Sequence, residues 1–284
     1  MQAPQISVLP DGRRWHFHHG PIDLIVDAVG PGRKVALRRA ARRFDTVLTE
    51  LASELGILRR PAGGTDVAQG RIARAMQDAV SVHLPGFVTP MAAVAGAVAD
   101  DMLGALCAGG PLRRAYVNNG GDVAVYLAPG ECLTSVIATA SAPRLTLTSD
   151  SPVRGVATSG WRGRSHSLGI ADSVTVLAET AVQADVAATL IANAVDLPGH
   201  PAIRRARACD IAPDSDLGAR RVTVDVGGLS SEEMQRALSA GGRFASDCLA
   251  RRQIIAAYLQ LGPYERLLGA TKYLSQPERD GVHA

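Results

Sequence analysis

Apolar residues recur at helical spacing through the first third of the chain and mostly at strand spacing after it. That division constrains the fold more than any other feature. Phe44, Val47, Leu48, Leu51, Leu55 and Leu58 fall at three- and four-residue steps, so the stretch from Pro31 to about Leu58 reads as a helix with one buried face. Thr65 is placed to cap a second helix running to about His83. The Ala-rich stretch from Met91 to Ala108 reads as a third, stopped by Gly109-Gly110. Ahead of these, Ile22, Leu24 and Val26 alternate with Asp23 and Asp27, a strand signature. Behind them, residues 115–118, 123–127, 133–138, 145–148, 154–158 and 173–177 read as short strands, most of them separated by Gly or Pro. A helix over 180–195 follows, then strands over 205–211 and 221–226. Ser230 with Glu233 makes a capping box. The helix it opens is expected to break at Gly241-Gly242 and resume over 243–261. The polar tail 276–284 reads as frayed. Helices in one block and strands in another argue an α+β fold, with N-terminal helices followed by an antiparallel-rich sheet region and packed helices. No linker composition divides residues 1–284, so one domain, or two intimately packed lobes, is expected.

The bulk numbers exclude several classes. A formal charge of +3 over 284 residues is too weak to indicate nucleic acid. Residues 1–75 hold twelve Lys/Arg against seven Asp/Glu, densest at Arg33, Lys34, Arg38, Arg39, Arg42 and Arg43, which reads as a solvated helix face. Cys107, Cys132, Cys209 and Cys248 show no metal-binding spacing and read as four reduced, buried thiols in a cytoplasmic protein. The N-terminus has no signal-peptide pattern, and the stretch from Met91 to Leu106 carries Asp100 and Asp101 and is short for a bilayer, so no membrane role is expected. There is no P-loop, HExxH, GxSxG or strand-following GxGxxG.

Four segments carry polar groups within apolar, Gly-rich surroundings. Asn118-Asn119-Gly120-Gly121-Asp122 joins two strands. It is a hairpin turn, or a turn whose exposed N–H groups approach a phosphate. Thr158-Ser159-Gly160 leads into Arg162, Arg164 and His166, a mixture suited to an anionic ligand. Asp185 and Thr189 lie four apart on a helix and share a face that is otherwise small and apolar. A carboxylate there is either paired, or a hard oxygen ligand for Mg²⁺, or a helix-start residue facing the dipole. His16, His18 and His19 lack a neighbouring thiol or carboxylate and read as part of a partly exposed strand rather than a zinc site.

Taken in order, these pieces resemble the ApbE superfamily, the FAD:protein FMN transferases. The Ala-rich helix, Asn-Gly-Gly-Asp, Gly-Val-Ala-Thr-Ser-Gly with a nearby His, Asp-Ser-Val-Thr-Val and Ala-Asp-x-x-x-Thr follow one another from about Pro90 to Val195. The match is closest to a short, cytoplasmic, poorly characterised branch carrying Thr-Pro-Met-Ala-Ala-Val-Ala-Gly-Ala from Thr89 to Ala97. The resemblance implies a T-fold-related architecture with FAD or FMN in a cleft and Mg²⁺ at the pyrophosphate. Asp185 and Thr189 would be metal ligands with a carbonyl near Ala95–Ala97. His166 and Asp122 would be catalytic candidates. Asn118, Asn119, Gly120, Gly121, Thr158, Ser159, Gly160, Arg162 and Arg164 would be cofactor-binding.

The departures are also plain. The family's Lys-Gly-Tyr-Ala-type segment has no Lys or Tyr here, and His166 is followed by Ser167-Leu168-Gly169 instead of the family's x-x-Asp-Pro. The expected function is Mg²⁺-assisted chemistry at the pyrophosphate of a flavin or similar small nucleotide-like ligand, with a protein as one acceptor. An enzyme of other cofactor or sulphur metabolism reusing the cleft, or a ligand-binding protein without turnover, stands beside it. A homo-oligomer is left open.

Overall fold

The structure, a computed structural model, describes residues 3–137 and 143–275. The expected frayed tail, and the end of the expected strand over 133–138, lie outside the described residues. The chain opens with a meander of β1 (Gln5–Val8), β2 (Trp15–His19) and β3 (Ile22–Val29). The helices α1 (Arg33–Ser53), α2 (Leu55–Leu58) and α3 (Arg71–Ser81) follow; a 3₁₀ turn at Pro90–Ala93 then leads into α4 (Val94–Cys107). Two hairpins come next, β4 (Arg114–Asn119) with β5 (Asp122–Leu127), and β6 (Cys132–Val136) with β7 (Arg144–Thr148). Then come β8 (Gly155–Ser159), β9 (Ser173–Ala178), α5 (Ala181–Ala194), β10 (Ile203–Arg207), α6 (Ala208–Ile211) and β11 (Arg221–Val226). The chain closes with α7 (Ser231–Ala250), β12 (Ala256–Leu261), β13 (Tyr264–Gly269) and the two-residue β14 (Leu274–Ser275).

Nine strands form one sheet in the order β1-β2-β3-β4-β5-β8-β9-β12-β13, antiparallel throughout. The architecture is the α+β arrangement expected from the sequence. All the major helices lie on one face of the sheet. Phe44, Val47 and Leu51 of α1 and Met102 of α4 bury against Phe17, Leu24, Val26 and Val117. Further along, Ala184, Ala188 and Ile191 of α5, with Ala237 and Ala245 of α7, cover Ala157, Val174 and Leu259. On the opposite face, the small sheet β14-β7-β6 packs Leu145 and Leu147 against Val125, Val156 and Tyr258. The segment Pro90–Cys107 is long and apolar enough to cross a membrane by length and composition alone. Here it packs against α1, α5, β4 and β5, with half of its residues buried.

Several local expectations are corrected. The second helix begins at Arg71, and Thr65 does not cap it. Its N-cap is Gly70, without a side-chain cap, and the Glu54 carboxylate at the end of α1 holds the approach by accepting the N–H groups of Gln69 at 2.6 Å and Gly70 at 2.7 Å. The strand over 205–211 ends at Arg207, and α6 takes its remainder. Helix α7 runs unbroken through Gly241-Gly242. A Cβ on Gly241 would lie 2.3 Å from the Val195 side chain, so these glycines serve close packing and do not break the helix. Residues 256–261, expected as helix, form β12, buried along its whole length between β9 and β13. Of the four free cysteines only Cys248 is buried, and Cys132 is exposed. Within the basic cluster, Lys34, Arg38, Arg39 and Arg42 are exposed, whereas Arg43 binds Glu50 at 2.6 Å and Asp101 at 2.7 Å. A carboxylate does stand beside the His-rich strand, contrary to expectation: His16 pairs with Asp23 at 2.8 Å and its ring lies 6.1 Å from that of His18, while His19 is buried on the other face near Phe44.

Candidate functional site

Helices α4 and α5 meet at their N-termini on the sheet. Gly96 allows it, because a Cβ there would lie 2.3 Å from the Ala181 carbonyl oxygen. Gly155 does the same beneath the start of α5, where a Cβ would lie 2.0 Å from the Thr180 carbonyl. The two helices cap each other. Asp100 of α4 accepts the N–H groups of Ala181 at 3.1 Å and Val182 at 2.9 Å. Asp185 of α5 accepts the Gly96 N–H at 2.9 Å and also binds the Ala95 N–H. The dipole that Asp185 faces is therefore that of the neighbouring helix, not its own.

A cleft of about 370 Å³ opens beside this junction. Asp185, Thr189 and Asn193, four residues apart in succession, form its α5 wall. Asp122, at the tip of the β4–β5 hairpin, stands across from them. It is 9% exposed, and one oxygen accepts the Thr158 N–H at 3.1 Å. Asn119 donates to the Ala95 carbonyl at 3.1 Å and fixes the rear of the cleft. Arg164 and His166 enter from the loop after β8. That loop is anchored by Asn193, whose carbonyl oxygen accepts from Ser167 at 3.1 Å and from the Leu168 N–H at 2.8 Å. The connection between β10 and β11 forms a roof. Its Asp216 accepts a hydrogen bond from the Thr89 hydroxyl, and Arg220 lies 3.2 Å over the Phe87 ring.

The electrostatics of the cleft are set by burial. Burial pushes Asp122 up to about 7, with the Thr158 N–H and the Arg164 charge pulling the other way. Asp185 is raised well above the ordinary carboxylate range, first by burial and then by the negative charge of Asp122. Burial also lifts Asp100 to about 6, against the pull of its two backbone donors. Two carboxylates that disfavour each other's charge, with a hydroxyl on the same helix face, form an oxygen donor set that fits a hard divalent cation. Among the described residues no three His, Cys, Asp or Glu side chains converge, so the remaining ligands of such an ion would be a backbone carbonyl, water or ligand oxygens.

Not every residue singled out from the sequence lies here. Asp122, Arg164, His166, Asp185 and Thr189 share the cleft. Asn118, Gly120, Gly121 and Thr158 instead line a separate cavity on the other face of the sheet. They were expected beside Asp185, but strand alternation sends Asn118 and Thr158 to the opposite side from Asn119 and Ala157. Arg162 turns away, binding Asp172 at 2.9 Å and stacking at 4.4 Å on Trp161. Gly160 packs against the Asp172 carbonyl, 2.4 Å from where its Cβ would be, and neither it nor Ser159 lines the cleft.

A profile of the family described as AbpE bacteria matches residues 6–273. The chain belongs to this family. Its fold is that of the apo crystal structure of the Pseudomonas stutzeri flavinyl transferase ApbE, with a TM-score of 0.51 at 12% identity, covering 94% of this chain and 95% of that one. It is 36% identical over 175 residues to a UPF0280 protein of Methanopyrus kandleri, covering 56% of this chain and 66% of the relative. It is 39% identical over 113 residues to a UPF0280 protein of Methanothrix thermoacetophila, covering 38% and 46%. The chain thus spans just under two thirds and just under half of the curated relatives it matches.

Sequence reasoning missed Asn193, Phe87, Thr89 and Asp216. Asn193 was within reach, since it continues the Asp185–Thr189 step by four. The roof residues were not, because Thr89 and Asp216 are 127 positions apart and no local pattern joins them.

Proposed function

We propose that this cleft binds a flavin dinucleotide, or a close nucleotide analogue, together with a divalent cation, and that it cleaves or transfers at the pyrophosphate. The observation that carries this reading is that the carboxylates of buried Asp122 and part-buried Asp185 line one cleft with Thr189, where the negative charge of Asp122 works against ionisation of Asp185 and a cation would relieve it. Asp185 and Thr189 would hold Mg²⁺, which when bound neutralises charge developing between the phosphates. Arg164 is the cation placed to meet phosphate oxygens. A hydroxyl, from water or from a Ser or Thr of an acceptor protein, attacks the phosphorus of the FMN half. The bond from that phosphorus to the bridging oxygen breaks and AMP leaves. The hydroxyl proton passes to Asp122, whose value near 7 suits a base at neutral pH, or to His166 at the cleft wall.

The support is the family membership, the shared fold and this donor set. The test is incubation of the purified protein with FAD and Mg²⁺, followed by chromatography for FMN and AMP, with Asp185→Asn alongside. Appearance of both products, lost in the variant, supports the reading. Tight FAD binding without products would make the protein a flavin-binding module. Indifference to FAD in turnover and melting alike would reject the reading.

A further inference from the structure

We propose that the groove between the nine-stranded sheet and the β6–β7 hairpin is a second ligand site, and that it takes an aliphatic chain ending in a single carboxylate. Two cavities, of about 330 and 590 Å³, lie there on the face away from Asp185. They share Tyr116, Val125, Leu133 and Thr134 as lining, so they form one elongated groove. Branched aliphatic side chains form most of its apolar lining, Asn118, Ser135, Thr158 and Thr175 add polar groups along one wall, and Tyr116 is its one aromatic ring among the described residues. That lining suits a flexible hydrocarbon chain better than a stacked ring.

One end of the groove is cationic. Arg13, Arg14 and Arg114 line it against Asp27, while Asp11 pairs with Arg14 outside the lining. Asp27 is already engaged by Arg13 at 2.6 Å. Arg114 is half-buried and has no ion pair or side-chain hydrogen bond among the described residues. A cationic head group would be repelled here, and a neutral one would leave Arg114 uncompensated. A carboxylate satisfies it, with bidentate geometry available. The sheet separates this groove from the Asp185 cleft, so the inference does not rest on the nucleotide reading.

The test uses the full chain with decanoate, decylamine and decanol as probes in isothermal titration. The variants are Arg114→Met, which keeps length and removes charge, and Ser135→Trp, which fills the groove from a β6 position paired with the buried Leu145. Decanoate is expected to bind at one site and decylamine not at all. Arg114→Met should weaken decanoate about tenfold or more, as the loss of a charge-assisted hydrogen bond implies. Ser135→Trp should abolish binding, and Asp185→Asn should leave it unchanged. Circular dichroism checks that each variant is folded. Equal binding of decanoate and decylamine would overturn the proposal, as would decanoate affinity unmoved by both groove variants or no decanoate binding at all.

Discussion

The Asp185 carboxylate accepts the backbone N–H of Gly96 at 2.9 Å, so a residue in the second turn of α5 caps the first turn of α4. Asp100 returns the contact from α4 to α5. The N-cap of α4, Ala93, has no side chain able to do this, which leaves Asp185 with a structural role as well as a place in the cleft.

This dual role makes Asp185→Asn and Asp185→Ala behave differently. The Asn amide oxygen can still accept from Gly96, and the change removes a buried charge, so the ligand-free protein at pH 8 should melt at the same temperature or higher. The Ala variant loses the cap and should be less stable than the Asn variant by about 1 kcal/mol. Both should lose any melting shift induced by Mg²⁺ with FAD. A full shift retained in Asp185→Asn would remove the metal role.

Stability should fall as pH rises. Asp122 has an ordinary value of 3.8 and a folded one of about 7, so the native state holds a proton that the unfolded chain releases between those values. The stabilisation is fully present below about pH 4 and is lost as pH rises through about 7. Each such group can contribute up to about 1.4 kcal/mol per pH unit inside its window. Asp185 shifts in the same direction. Denaturant melts at pH 5, 6, 7 and 8 should show the decline, and Asp122→Asn should flatten it. Saturating Mg²⁺ should also flatten it if the cation takes the place of the proton. A flat profile in the parent protein would refute the raised proton affinity of Asp122 and Asp185.

The parts of the fold that could be read from sequence are those where one face is buried and the other is wet. Strand β3, helix α1 and the capping box of α7 declare themselves by alternation, by three- and four-residue steps and by Ser230 with Glu233. Strand β12 does not, since all six of its residues are buried and the run cannot be told from a buried helix. Glycines 241 and 242 mislead for a related reason, because the helix needs them for contacts with Val195 and Arg266 that lie far away in sequence. In the cleft, the helix spacing of Asp185 and Thr189 was legible. The face occupied by each residue around the Gly120–Gly121 turn was not, since it depends on strand register.

Close approach of α4 to α5 should make Gly96 intolerant of a side chain. In Gly96→Ala the new Cβ would sit 2.3 Å from the Ala181 carbonyl, and forcing the helices apart should cost about 1–3 kcal/mol. Gly104, later in the same helix, has nothing within 4 Å of its would-be Cβ. Gly104→Ala should therefore stabilise by about 0.5–1 kcal/mol through helix propensity alone. Urea titrations of the two variants compare site geometry against propensity within one helix. Equal and opposite shifts from these expectations would show that the junction is looser than Gly96 implies.

The roof of the cleft depends on contacts between distant parts of the chain. Asp216 accepts from the Thr89 hydroxyl, and Thr89 is 2% exposed, so this is a charge-assisted hydrogen bond largely shielded from water. Arg220 over the Phe87 ring adds a second contact beside it. Thr89→Val keeps the shape and removes the donor, which should cost the closed roof about 1.5–3 kcal/mol. Opening of one surface connection does not expose the core, so the melting temperature should move less than the local opening equilibrium. Amide hydrogen exchange over residues 212–217 should speed up by about tenfold or more, with exchange in α5 unchanged. Adding Arg220→Ala tests whether the two contacts act together: a double variant opening further than the sum of the singles would show that they do. Exchange over 212–217 that is unmoved by Thr89→Val would mean that the connection is held by something other than Asp216.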